Sequence, residues 1–257
     1  MSDSTGLTAN LSIESSDTPS AKMIEKRNLE RLLGVFVPVL TVLVLLVLWQ
    51  LLVVCADIPQ YILPSPTAVA KALYSDWGIL WPALWVTTEI TFISLILALI
   101  GGVGFAIFLV QSRWIELAFY PLAVILQVTP IVAIAPLILI YAPTREAALL
   151  ICGFLVAFFP ILSNMVQGLK SVDHNLLNLF DLYGASRWQA LLHLKLPAAQ
   201  PYFMTGLRIG GGLSLIGTVV AEFAAGSGGP NSGLAFRLLE AQYRQNMPRL
   251  FAALLLL

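Results

Sequence analysis

Apolar positions in this chain fall into long unbroken runs, separated by short stretches where Pro, Gly and charged residues collect. A bilayer core needs about 20 consecutive apolar residues per helix. Five runs reach that length, at 34–55, 84–110, 117–141, 147–169 and 203–225. A sixth begins near Leu250 and reaches Leu257 in FAALLLL, too few residues to span, so the last helix reads as begun and incomplete. The pattern predicts an all-α, multi-span transmembrane helical bundle. Residues 1–33 stand apart as a cytoplasmic tail and basic flank, and 34–257 form the membrane domain. The Ser/Thr/Asp-rich stretch 1–21 has no apolar period and reads as disordered.

Orientation follows from the polar stretches. Lys22, Lys26, Arg27 and Arg31 precede the first run and place the N-terminus in the cytoplasm. The first run is too long for the apolar region of a cleaved signal peptide. It is expected to face lipid. The segments 111–116 and 170–202 are then cytoplasmic, and 56–83, 142–146 and 226–248 lie outside. Arg237, Arg244 and Arg249 fall on the outer side, against the general trend. In the first outer segment, Pro64 and Pro66 disfavour continuous helix, and Thr67 is a candidate cap for a short helix to about Asp76. Trp77, Trp81 and Trp85 sit where an interfacial aromatic belt is expected. GSGGPNSG at 226–233 reads as a flexible outer turn; no Lys-Ser/Thr follows it, so it is not a phosphate-binding loop.

Composition narrows the function classes. Hydrophobic residues make up 58% of the 257 positions and charged residues 11%, against about 25% charged in a soluble domain. The net charge is zero, which leaves no basic footprint for nucleic acid. The histidines are His174 and His193, and the cysteines are Cys55 and Cys152 in apolar surroundings. Neither a metal centre nor a nucleophilic triad is spelled out, and the cysteines read as packed thiols.

Within the membrane, Pro121, Pro130, Pro136 and Pro160 each remove a backbone donor and favour kinks that face protein or water. Gly206 and Gly210 have the spacing of a close helix contact, and the run through Gly217 suggests a dimer seam. Glu89 and Glu222 are intramembrane acids, open to either a structural hydrogen bond or contact with a solute. With Gln127, Pro130 and Pro136 they form the candidate translocation path. Arg208 is expected to snorkel to the inner surface.

The most informative stretch is the polar insert Asn178–Pro197, NLFDLYGASRWQALLHLKLP. Gly184 is followed at fixed distances by Leu194, Leu196 and Pro197. This spacing resembles the EAA loop of ABC importer permeases, although the family's E-A-A falls on Asn178-Leu179-Phe180 here. Leu63-Pro64-Ser65-Pro66, the segment Gln127–Leu137, Phe158–Ile161, Leu196–Tyr202, Gly206–Ile209 and Val220-Ala221-Glu222 resemble the nitrate, sulfonate, taurine and pyrimidine-precursor branch of type I permeases, in that order along the chain. The likeness covers roughly residues 35–257.

The resemblance implies a non-enzymatic permease subunit in a bacterial inner membrane. Its coupling loop, about 170–202, would dock an ATPase through Asn178, Asp181, Tyr183, Gly184, Ala185, Ser186, Arg187, Leu196 and Pro197. Gly184 would turn the chain between two short helices, and Pro197 would set where the second stops. Implied partners are two ATPase subunits, which hold the ATP and Mg, a second permease chain as a homodimer, an external solute-binding protein, and lipid. The implied solutes are a pyrimidine thiamine precursor, riboflavin, nitrate, a sulfonate or taurine. A secondary transporter or channel working without an ATPase is the alternative; against it stand the lack of an inverted repeat and the scarcity of intramembrane charge.

Overall fold

A computed structural model of the chain describes residues 19–226, 229 and 232–257, with side chains from residue 34 onward, residue 35 excepted. The expected disordered tail therefore falls outside the described residues up to position 18, and so does much of the 226–233 turn. The chain divides into two units, 1–57 and 58–257. The first is one helix, α1 (Pro19–Cys55), so the basic flank continues the helix instead of preceding it. Its segment Phe36–Cys55 is long and apolar enough to cross a membrane. Thr41 donates its hydroxyl to the Val37 carbonyl at 2.8 Å, one turn back and next to Pro38.

The second unit begins with α2 (Pro66–Ser75). Its cap is Ser65, not Thr67: Ser65 is extended and accepts from Ala68 N–H at 3.3 Å. Pro66 takes the first helical position, where its missing N–H costs nothing. Asp76 closes α2 and opens α3 (Trp77–Val110). At 34 residues α3 is about 51 Å long at 1.5 Å per residue. That exceeds the bilayer core of about 30 Å, so the second span starts earlier than its apolar run suggested. Trp77 and Trp81 stack at 5.4 Å on the extra turns.

The third run is not one straight span. It forms α4 (Arg113–Val128) and α5 (Ile131–Tyr141), bent by 99° at Thr129-Pro130. Proline disfavours the helical conformation in the residue before it. Thr129 accordingly lies at ψ 124 and Pro130 at ψ 115, both extended. Pro121, Pro136 and Pro160 stay inside helices. The fourth span is α6 (Arg145–Lys170), capped by Thr144, which accepts from Ala147 N–H at 3.1 Å.

After α6 come α7 (His174–Leu182), α8 (Arg187–Ala190), a π-helical turn over Leu191–Lys195, and α9 (Leu196–Ala225). Two ten-residue helices follow, α10 (Leu234–Tyr243) and α11 (Met247–Leu256). Four helices among the described residues are long and apolar enough to span, or five counting the bent pair as one.

The core lies between α3, α6 and α9. Lipid tails are as apolar as leucine, so these helices associate through close packing instead of through escape from water. Glycine makes the approach possible. A Cβ added at Gly217 would lie 2.8 Å from the Cys152 carbonyl, and one at Gly210 would lie 2.9 Å from Ile161. Gly206 faces α6 as well. Gly206, Gly210 and Gly217 of the glycine run thus serve an internal contact, while Gly212 stands in open space.

The two ends of the bundle are fastened differently. At one end Lys170 pairs with Glu116, joining the end of α6 to the start of α4. At the other, Arg249 at the start of α11 donates two hydrogen bonds to Asp76, at 2.6 and 3.0 Å. The segments expected on one side of the membrane, 111–116 and 170–202, thus root at the same end.

Candidate coupling and translocation sites

The insert after α6 is built from local signals. Asp173 caps α7 by accepting from Asn175 N–H at 2.9 Å. The helix ends in a Schellman turn: Ala185 N–H bonds the Phe180 carbonyl at 2.9 Å and Gly184 N–H bonds that of Asp181 at 3.0 Å. Gly184 sits at φ 66, the left-handed conformation that only glycine adopts cheaply. Two residues later Ser186 starts α8 with a capping box. Its hydroxyl accepts from Gln189 N–H at 3.3 Å, while its own N–H donates to the Gln189 side chain at 2.7 Å. The two helices are consequently held at a fixed angle, since Ala185, which closes the first motif, is followed directly by Ser186, which opens the second.

This pair presents apolar side chains to its surroundings. Leu182 and Tyr183 are each 84% exposed and Trp188 is 65% exposed. Asn178, Asp181, Gly184, Ser186 and Arg187 share the exposed surface, and Ala185 is half-buried. Large apolar groups beside charge at the polar end of a membrane bundle make a surface suited to a protein partner. Leu196 and Pro197 lie elsewhere, at the root of α9. Pro197 does not stop a helix. Residues Arg187–Ala225 run as one 39-residue helix. Pro197 has no N–H to give the carbonyl one turn back, and Leu196 N–H reaches instead to Leu191, five residues back, giving the π turn. Leu191 is buried in one apolar cluster with Leu169 and Ala199, which ties the turn to α6.

The predicted path residues separate into four places. Gln127 and Pro130 line one hollow of about 340 Å³ at the α4–α5 break, with Ile131, Val156, Pro160 and Leu213. Its lining includes no charged side chain. Pro136 lines a different hollow, near the start of α6 and the end of α9. Glu89 is exposed on α3, and lies two residues beyond Thr87, on nearly the opposite side of the helix.

Glu222 is wholly buried. Its Oε1 accepts from the Thr87 hydroxyl at 2.8 Å and its Oε2 from Ala235 N–H at 3.0 Å. The Thr87 oxygen in turn accepts from Leu234 N–H at 2.8 Å. Of the two roles open to this acid, the structural hydrogen bond is the one occupied here. Thr87 and Gln189 take part in these sites and stood outside the candidate coupling-loop and path residues. Only Gln189 carried a local signal, as the fourth residue of Ser-x-x-Gln.

Comparison with known proteins gives a consistent result. Residues 95–257 match the family described as binding-protein-dependent transport system inner membrane component. A probable ABC transporter permease protein of Haemophilus influenzae is 34% identical, covering 86% of this chain and 88% of that protein. The riboflavin transport system permease protein RibX of Chloroflexus aurantiacus is 35% identical over 83% of this chain and 79% of its own length. The formylaminopyrimidine transport permease protein ThiX of Halalkalibacterium halodurans is 30% identical over 86% of each.

Proposed function

Because this chain belongs to the family of binding-protein-dependent transport inner membrane components, and so is a multi-pass ABC transporter permease and not an enzyme, we propose a specific assembly for it. Two copies form a central path. Two ATPase subunits, which bind the ATP and Mg, sit at the end that carries α7 and α8. A solute-binding protein delivers at the opposite end. The N-terminus, 111–116 and 170–202 lie on the cytoplasmic side.

The observation that carries this reading is the braced α7–α8 pair with Leu182, Tyr183 and Trp188 exposed. Nucleotide-driven closure of an ATPase supplies work only if it pushes on something stiff. The Schellman turn and the capping box supply that stiffness, and the unbroken helix Arg187–Ala225 leads from the contact through the membrane. Asn178 stands where relatives of this type carry the acid of E-A-A, so the contact rests here on apolar side chains and on the shape of the turn.

For the path we infer the hollow at the α4–α5 break. A helix broken at membrane depth exposes backbone groups that need protein or water beside them. The uncharged lining with one amide, Gln127, favours a neutral heteroaromatic solute of the pyrimidine or flavin class over nitrate or a sulfonate, since an anion there would lack compensation for lost hydration. The test of the dock is co-purification. The wild-type chain, solubilised in detergent, is expected to retain its ATPase stoichiometrically, and Leu182→Asp with Trp188→Asp to lose it while still inserting. Equal recovery of ATPase with both chains would refute the assignment.

A further inference from the structure

The fastening of α10 has no assigned role. This helix is ten residues long and begins at Gly233, which has no side chain with which to cap its own helix. The caps come from two distant helices. Glu222 on α9 accepts from Ala235 N–H at 3.0 Å, and Thr87 on α3 accepts from Leu234 N–H at 2.8 Å. The two side chains also bond each other at 2.8 Å. All four residues are at most 1% exposed. Gly233 is required for the fit, because a Cβ there would lie 2.0 Å from the Glu222 carboxylate. A negative group suits this place, since the start of a helix carries unpaired N–H groups and partial positive charge.

Glu222 also lies three residues before the last residue of α9, at the far end of the 39-residue helix that starts at Arg187. Resting on the coupling reading above, we infer that Thr87 and Glu222 are a positioning pair: they lock α10 to α3 and α9, so that the outer helix is carried by the same continuous helix that bears the ATPase contact. Displacement of α8 then reaches the outer surface without a second linkage. The Asp76–Arg249 pair holds α11 to the start of α3 and extends the locked region along that surface.

The test uses the full complex in nanodiscs, with Cys55 and Cys152 replaced and spin labels at Tyr243→Cys on α10 and Ile216→Cys on α9, both exposed positions. In the otherwise wild-type complex one narrow distance is expected, the same before and after ATP is added. Thr87→Val and Gly233→Ala should broaden it. Thr87→Ser keeps the hydroxyl and should restore it, whereas Glu222→Ala removes both carboxylate contacts and should broaden it as well. Solute moved per ATP hydrolysed should fall about tenfold in the broadened variants, the scale of one lost charge-assisted hydrogen bond. An unchanged narrow distance in Thr87→Val and Gly233→Ala would overturn the lock. So would a broadened distance with undiminished solute moved per ATP. Absence of ATP-driven uptake in the wild-type complex would instead strike the permease reading, leaving the distance measurement to decide the lock by itself.

Discussion

Replacing Gly184 isolates the backbone of the coupling turn from its packing. A Cβ at Gly184 would meet nothing within 4 Å, so no clash enters. What remains is the cost of φ 66 for a residue with a side chain. That cost is about 1–2 kcal/mol for alanine, less for asparagine, and more for a β-branched residue. If the ATPase binds only the turn seen here, Gly184→Ala weakens its docking by about five- to thirtyfold. Gly184→Asn should weaken it less and Gly184→Val more. The assay is titration of purified ATPase onto the permease in nanodiscs, with hydrolysis stimulated by loaded binding protein as the second readout. Insertion and thermal stability of the membrane core should not change, because Gly184 lies outside the α3–α6–α9 packing. Valine docking as tightly as glycine would refute the reasoning, and so would alanine docking worse than valine.

Other outcomes test the packing and the orientation. Gly217→Ala brings a methyl to 2.8 Å from the Cys152 carbonyl and should lower the unfolding midpoint in detergent, at a cost of about 1–3 kcal/mol. Gly212→Ala, with open space around it, should leave the midpoint unchanged. Asp76→Ala leaves Arg249 without its two hydrogen bonds and should cost about 1.5–3 kcal/mol in the same assay; exchanging the two residues should recover part of that loss. In intact cells, after Cys55 and Cys152 are replaced, an impermeant thiol probe should label a cysteine at Tyr243 and not one at Arg187, and the opposite pattern would invert the orientation.

The sequence carried the fold wherever the determining physics was local. Apolar run length announced the spans, and glycine at 184 announced a turn that the structure builds with positive φ. Ser186 and Gln189 spell the capping box that opens α8, a signal as local as Gly184. The prolines show where local reading ends. Four lie within the third and fourth runs, yet Pro130 alone breaks its helix, while Pro121, Pro136 and Pro160 are absorbed. Proline sets only its own backbone and that of its predecessor; whether the helix resumes straight depends on what packs beside it. Glu222 makes the same point through distance. Its partner Thr87 is 135 positions away and Leu234 is 147 from Thr87, so the sequence could mark the acid as unusual without saying what holds it. The glycines of α9 were legible as a contact surface, but which helix they meet is a property of the assembled bundle.

The most direct test of the central claim is uptake into proteoliposomes that contain this chain, its ATPase and its binding protein, with a pyrimidine or flavin solute supplied outside. Accumulation that requires ATP, the ATPase and the binding protein together, and that is lost when Leu182 and Trp188 are both replaced by aspartate, is the predicted result. Accumulation driven by an ion gradient with the ATPase left out would contradict it and make the chain a secondary transporter.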